Sequence, residues 1–394
     1  MLCLVSPESF VPAEHPLRQI KPLADQALQR LSATFDAMYA ELGRPSIPPE
    51  RLLKAKLLQA FFTIRSETLL VEAIHYNLLF RWFLDLNLTE AVWDHSTFTT
   101  NQERLLAQHV AQEFFGEIAD LARERGWLSD AHFTVDGTLI QAWASLKSFA
   151  PKDGPVKKTD DDPGNPSVDF RGQKRSNVTH QSTTDPEARL AKKANGQEAK
   201  LCYGLHVLME NRHGLCAGLE VTAATGTAET EAAQTLLRRQ KQEQKQTPQS
   251  VGADKNYHNA EFVTFCRKQG VAPHIATRAD RQVQGLDGRT TRTKNYQTSQ
   301  AIRKRVEECI GWIKEIGGLR RVKVRGMQRV GLHAWLVGCA YNLVRMGKLM
   351  EESPPAVGAA RKGRDRQRVP GCGKKPIPST PNSENSAAFA ANPR

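Results

Sequence analysis

The run His132-Phe-Thr-Val-Asp136-Gly-Thr-Leu-Ile140 decides the fold. Polar and apolar residues alternate up to Asp136, the period of a strand with one buried face. A second short run, Ser250-Val-Gly-Ala, also leads into an aspartate and opens Asp254-Lys-Asn-Tyr257. The third element, Arg303-Lys-Arg-Val-Glu307-Glu-Cys-Ile-Gly-Trp-Ile-Lys314, reads as a helix. At about 100° per residue, Arg303 and Glu307 lie roughly 40° apart and Lys314 roughly 20° from Glu307, so all three share one face. Glu308 falls roughly 100° away, which singles out Glu307. Ile302, Val306, Ile310 and Ile313 form a neighbouring apolar face, expected to dock the helix on a sheet and aim Glu307 inward. Two strand-end aspartates and a helix glutamate flanked by cations are the parts needed to hold divalent metal against a phosphodiester.

At these residues the chain resembles the DDE transposases of bacterial insertion sequences, specifically family five. That group has a helix signature of tyrosine, two residues, arginine, three residues, glutamate, six residues, lysine. Arg303, Glu307 and Lys314 match its spacing, and Gln300 stands where the tyrosine would be. The resemblance runs from about Ser6 to Gly347. It takes in Gly43-Arg-Pro-Ser-Ile-Pro-Pro-Glu50, Tyr76-Asn-Leu-Leu-Phe-Arg-Trp-Phe83 and Ala340-Tyr-Asn-Leu-Val-Arg345. It implies an α/β RNase H-like catalytic domain behind an all-α N-terminal domain. It also implies metal-dependent cleavage at insertion-sequence ends and transfer of the freed 3′ hydroxyl into target DNA. Asp136, Asp254 and Glu307 are the expected catalytic and metal-binding residues. The cofactor would be two Mg2+ ions, with Mn2+ able to substitute, and Asp136 would be the ligand shared by both. The partners would be double-stranded DNA, as inverted-repeat ends and as target, and a second copy of the chain in a synaptic homodimer. Two alternatives stay open: an inactive regulator that only binds transposon ends, and an RNase H-like nuclease that cuts without joining.

The chain around these residues is consistent with that order of elements. Up to about Trp127 the pattern is helical, with helices expected across Pro16–Leu31, behind Pro48-Pro49, across Glu67–Asn77 and across Asn101–Arg125. This region, 1–128, is either a plain helical bundle or a bundle that also recognises transposon ends; the resemblance favours the second. After Ser129 the period changes. Residues 129–349 read as the catalytic domain: the Asp136 strand, a hairpin from Leu201–Met209 and Leu215–Ala223, a helix across Thr227–Lys245, the Asp254 strand, a helix near Asn259–Lys268 and a strand at Val271–Ile275. A long polar loop is expected over 145–200, and its Asp160-Asp161-Asp162 run reads as solvated charge. Residues 350–394 lose all apolar periodicity and read as a disordered basic tail around Arg361–Arg368.

Composition narrows the class further. The 394 residues carry a formal charge of +13, which points to a polyanionic partner. Candidate phosphate contacts are Arg303, as a two-pronged donor, and Lys314, as a point charge, followed by Arg320, Arg321, Lys323 and Arg325. Lys255 and Tyr257 read either as contacts near the scissile phosphate or as caps of the strand end. Cys202, His206, His213 and Cys216 bracket the hairpin turn but lack the CxxC knuckle of a zinc site, so they read as core and turn residues. Seven scattered cysteines suit a reducing cytoplasm. No signal peptide and no membrane-length apolar run is visible, so a cytoplasmic, nucleoid-associated bacterial protein is expected.

Overall fold

A computed structural model of the chain describes residues 5–38, 47–107, 109–152, 169–170, 173–194, 196–280 and 282–352. The first part is helical: α1 (Leu17–Arg30), α2 (Ser32–Met38), α3 (Pro49–Phe61), α4 (Glu67–Tyr76), α5 (Leu78–Phe83), α6 (Ser96–Ala107) and α7 (Val110–Glu124). Local chemistry sets the ends of these helices. Pro49 opens α3, where its missing N–H costs nothing. The Ser66 and Asn77 side chains accept from Leu69 N and Leu79 N and cap α4 and α5. The single helix expected across Asn101–Arg125 is instead two, because His109 adopts a left-handed backbone (φ 51°) in front of α7.

Among the described residues the strands that follow are β1 (His132–Gln141), β2 (Phe149–Pro151), β3 (Asp169–Phe170), β4 (Gln173–Lys174), β5 (His180–Ser182), β6 (Arg189–Ala191), β7 (Lys200–Glu210), β8 (Leu215–Ala223), β9 (Ser250–Ala253) and β10 (Ala272–Ile275). The main sheet runs β10-β9-β1-β7-β8, with β6 paired to the first residues of β7. β7 is antiparallel to β1 and β8, while β9 and β10 lie parallel to β1 and to each other. Three antiparallel strands followed by two parallel crossovers is the RNase H-like order expected from the sequence. The crossovers carry α8 (Ala228–Gln242) and α9 (Ala260–Lys268), and α10 (Gly288–Thr291), α11 (Lys294–Ile302), α12 (Val306–Glu315) and α13 (Met327–Glu352) complete the chain.

The polar stretch 145–200 is not the plain loop expected. β2 pairs with β5, and β6 joins the main sheet, because the backbone groups of so long a segment need partners. The Asp160–Asp162 run lies outside the described residues, as does the segment from 353 onward.

α13 was not anticipated as a single element. It packs on α7, β8, α3 and α1 and so joins the helical part to the sheet. A Cβ at Gly338 would lie 2.3 Å from Leu219 Cδ1 and 3.1 Å from Phe115 Cε2, so only glycine permits this approach of helix, strand and helix. From α13, Asn342 bonds both backbone groups of Cys216, at 2.8 Å each, and Tyr341 donates to Gly214 O at 2.7 Å.

Candidate active site

Register brings the two aspartates together. β1 and β9 pair in parallel as His132 with Ser250, Phe133 with Val251 and Thr134 with Gly252. Continuing that register two residues along each chain sets Asp136 opposite Asp254, at the C-terminal end of β9. Asp136 itself lies in the middle of β1, which runs on to Gln141 because its pairing with β7 continues, and is not the strand end expected from the sequence. In open α/β sheets ligands bind at the C-terminal ends of strands. Asp136 is half-buried, and its carboxylate accepts from Gly137 N at 2.9 Å. Burial raises its pKa to about 6, with Asp254 and Glu229 adding to the rise and Arg303 opposing it. Asp254 leaves the sheet as the cap of a short turn and accepts from Asn256 N at 2.7 Å.

Glu307 is placed differently from the expectation. Arg303–Arg305 form a 3-10 turn, and α12 proper begins at Val306. Val306, Cys309 and Ile313 are the buried positions of α12, one i, i+3, i+7 stripe. Glu307 lies off this stripe and is exposed, as is Glu308. It therefore faces solvent and is not packed against the sheet. Its neighbours nevertheless bracket the acid pair. The Arg303 charge reaches Asp136, and Lys314 Nζ donates to Thr138 Oγ1 and Leu139 O, both at 3.0 Å, on the strand that bears Asp136. Burial lowers the Lys314 pKa.

The other cations expected to contact phosphate are scattered. Arg320 pairs with Glu315. Arg321 lies 5.4 Å from the Trp143 ring centroid and donates to Trp143 O at 3.3 Å. Lys323 donates to Arg65 O at 2.6 Å, and Arg325 is exposed. Lys255 is exposed, but Tyr257 is fully buried and cannot face DNA. Gln300 donates to His274 O at 2.5 Å and Tyr296, one turn earlier, donates to Ile275 O at 2.8 Å, so both side chains moor α11 to β10. In the hairpin, His206 bonds Thr222 Oγ1 at 2.9 Å and His213 faces Glu210. Among the described residues no three His, Cys, Asp or Glu side chains form a group that could hold a metal ion. Sequence reasoning missed Glu229 on α8, whose carboxylate takes a hydrogen bond from Asn256. Its only signal was position, at the start of the helix that follows the hairpin.

Two family models match the sequence: a transposase domain of the DUF772 type over residues 5–104 and a transposase DDE domain over residues 167–343. Together they span more than two thirds of the chain, and the second contains Asp254 and Glu307. The chain belongs to the DDE transposases. No curated protein matches it significantly. Among solved structures, the transposase is similar to a piggyBac transposase synaptic complex with hairpin DNA (9% identity, TM-score 0.40, covering 86% of this chain and 76% of that one). It is also similar to Mos1 transposase in a paired-end complex with the left transposon end (14% identity, TM-score 0.20, 72% and 84%). A Mos1 mariner paired-end complex with Mn gives 13% identity and a TM-score of 0.19, covering 74% and 86%. No helix among the described residues of the transposase is long and apolar enough to cross a membrane.

Proposed function

We propose that this transposase cuts DNA at the ends of a family-five insertion sequence and joins the freed 3′ hydroxyl to target DNA, through a metal centre built on Asp136, Asp254 and Glu307. The observation that carries the reading is the parallel register of β1 and β9, which when continued sets Asp136 opposite Asp254, with the Asp254 and Arg303 charges both acting on Asp136. The donor set fits a hard divalent cation. The two carboxylates lie on adjacent strands and close enough to repel, and burial together with Asp254 drives Asp136 toward its protonated form, a strain that a cation would relieve. Mg2+, with Mn2+ as a substitute, would be held by Asp136 and Asp254, with Glu307 reaching in from α12. When bound, such ions supply Lewis-acid activation of the attacking oxygen and charge relief for the leaving one.

The protein's own residues do the rest. Lys314, tied to Thr138 and Leu139, fixes α12 against β1 and so sets how far Glu307 stands from Asp136. Arg303 supplies positive charge next to Asp136, where a scissile phosphate would lie. Arg321, Lys323 and Arg325 are exposed and would add separate contacts to the DNA backbone. The helical part, 1–128, would read the transposon ends, two copies of the chain would hold a pair of ends, and residues 350–394 would add non-specific attraction to DNA. Purified protein incubated with labelled transposon ends, Mg2+ and a target plasmid gives the test. Cutting followed by joining supports the proposal. Binding alone would indicate a regulator, and cutting alone a nuclease.

A further inference from the structure

Glu229, the second residue of α8, has no ion pair among the described residues and no part in the triad above. It is half-buried and close to the acid pair. A Cβ built on Gly137, the residue after Asp136, would lie 3.2 Å from Glu229 Cγ and 3.4 Å from its Oε1. The Asn256 side chain, two residues after Asp254, bonds the Glu229 carboxylate on one side and accepts from Arg278 Nη2 at 3.2 Å on the other. A cluster of acids alone proves little, but a second group points the same way. The Tyr257 hydroxyl is fully buried with no hydrogen-bond partner among the described residues, and the charges acting on it are Glu229, Asp136 and Asp254.

A half-buried carboxylate without a cation is costly, and so is a buried hydroxyl without a partner. One hydrated cation at the acid pair answers both needs. We propose that Glu229 is a fourth carboxylate of the metal centre, acting from the α8 side on the cation held by Asp136 and Asp254. This rests on the reading of those two aspartates as metal ligands. No three donors among the described residues are grouped to ligate one ion directly, and Mg2+ gives up its water reluctantly. Glu229 would therefore act on the cation indirectly, by its charge, from beside the buried Tyr257 hydroxyl. The Arg278–Asn256 contact holds the carboxylate in place.

The test is Mn2+ binding by the full chain, followed by the electron paramagnetic resonance of free Mn2+. Glu229→Gln keeps an oxygen for Asn256 and removes the charge. It should weaken Mn2+ binding about tenfold, the scale of outer-shell partners, with an unchanged unfolding midpoint. Glu229→Asp should restore most of the affinity. Wild-type affinity in a folded Glu229→Gln overturns the proposal, and so does a loss seen only in Glu229→Ala, since that assigns the effect to the Asn256 contact. If Glu229→Gln does not fold, Tyr257→Phe decides: a several-fold loss supports the proposal and no loss overturns it. Asp136→Asn provides the reference. Loss there with none at Glu229→Gln overturns this proposal alone, whereas no loss at either overturns the reading beneath it.

Discussion

At the scale of single residues, the triad makes the sharpest prediction. Asp136→Asn, Asp254→Asn and Glu307→Gln should each abolish cleavage in a gel assay while leaving the folded state and end binding largely intact. Glu308 is equally exposed, so exposure does not separate the two glutamates, but position does. Glu308→Gln should be much milder, and equal losses at the two positions would show that the wrong glutamate has been chosen. Arg303 and Lys314 now separate from each other. Lys314 makes two hydrogen bonds to β1, so Lys314→Ala should cost about 1.5–3 kcal/mol of stability in denaturant unfolding, the range for bonds to charged groups. Arg303→Ala should leave stability nearly unchanged and reduce the salt dependence of DNA binding by roughly one ion. A shallower salt slope in Lys314→Ala with no loss of stability would reverse these assignments.

At the scale of elements, α13 carries the prediction. Gly338→Ala drives a methyl into Leu219 and Phe115, and overpacking of this kind costs about 1–3 kcal/mol. The variant should show a lower thermal midpoint, whereas Gly331→Ala on the same helix, where a Cβ meets nothing within 4 Å, should not. Elements also show what the sequence made legible. β1, the β7–β8 hairpin, α8, β9, α9 and β10 were readable because period-2 alternation and turn residues act locally. The split of α6 from α7 at His109 was not readable, since apolar periodicity continues across it and only a backbone angle breaks it. β2, β5 and β6 were missed because they are three-residue strands in polar sequence, held by pairing rather than by propensity. Asp254 was legible as a strand end, whereas Asp136 was legible as a strand residue but not as a mid-strand one, because pairing with β7 carries β1 on to Gln141. Glu229 was not, because its role depends on a close approach to Gly137 from a helix about ninety residues away.

At the scale of the whole molecule, buried histidines set the response to acid. Burial lowers His132 and His206 to about 4 and His333 to about 3. Unfolded histidine titrates near 6.5. Below that pH the unfolded chain takes up protons that the folded chain refuses, so stability falls as pH drops from about 6.5 toward 4. Urea midpoints measured at pH 7 and pH 5 should differ by a few kcal/mol in the derived stability, and a flat profile would show that these rings are not held neutral. Removal of residues 353–394, beyond the end of α13, should leave that profile and the fold unchanged. It should lower affinity for random DNA more than it lowers preference for transposon ends, as measured by competition binding.

The β7–β8 hairpin closes through a turn of four residues, whereas β1 reaches its partner β7 only across an excursion of about sixty residues from Gln141 to Lys200. Loop closure favours the short connection, so the hairpin is expected to form first and β1 to join it later. Asp136 rides on the strand that arrives late. A nascent or partly refolded chain would then hold its hairpin before it holds a pair of facing aspartates, and it could not cut DNA until the sheet was finished. Pulsed hydrogen exchange during refolding should show β7 and β8 amides protected before those of β1.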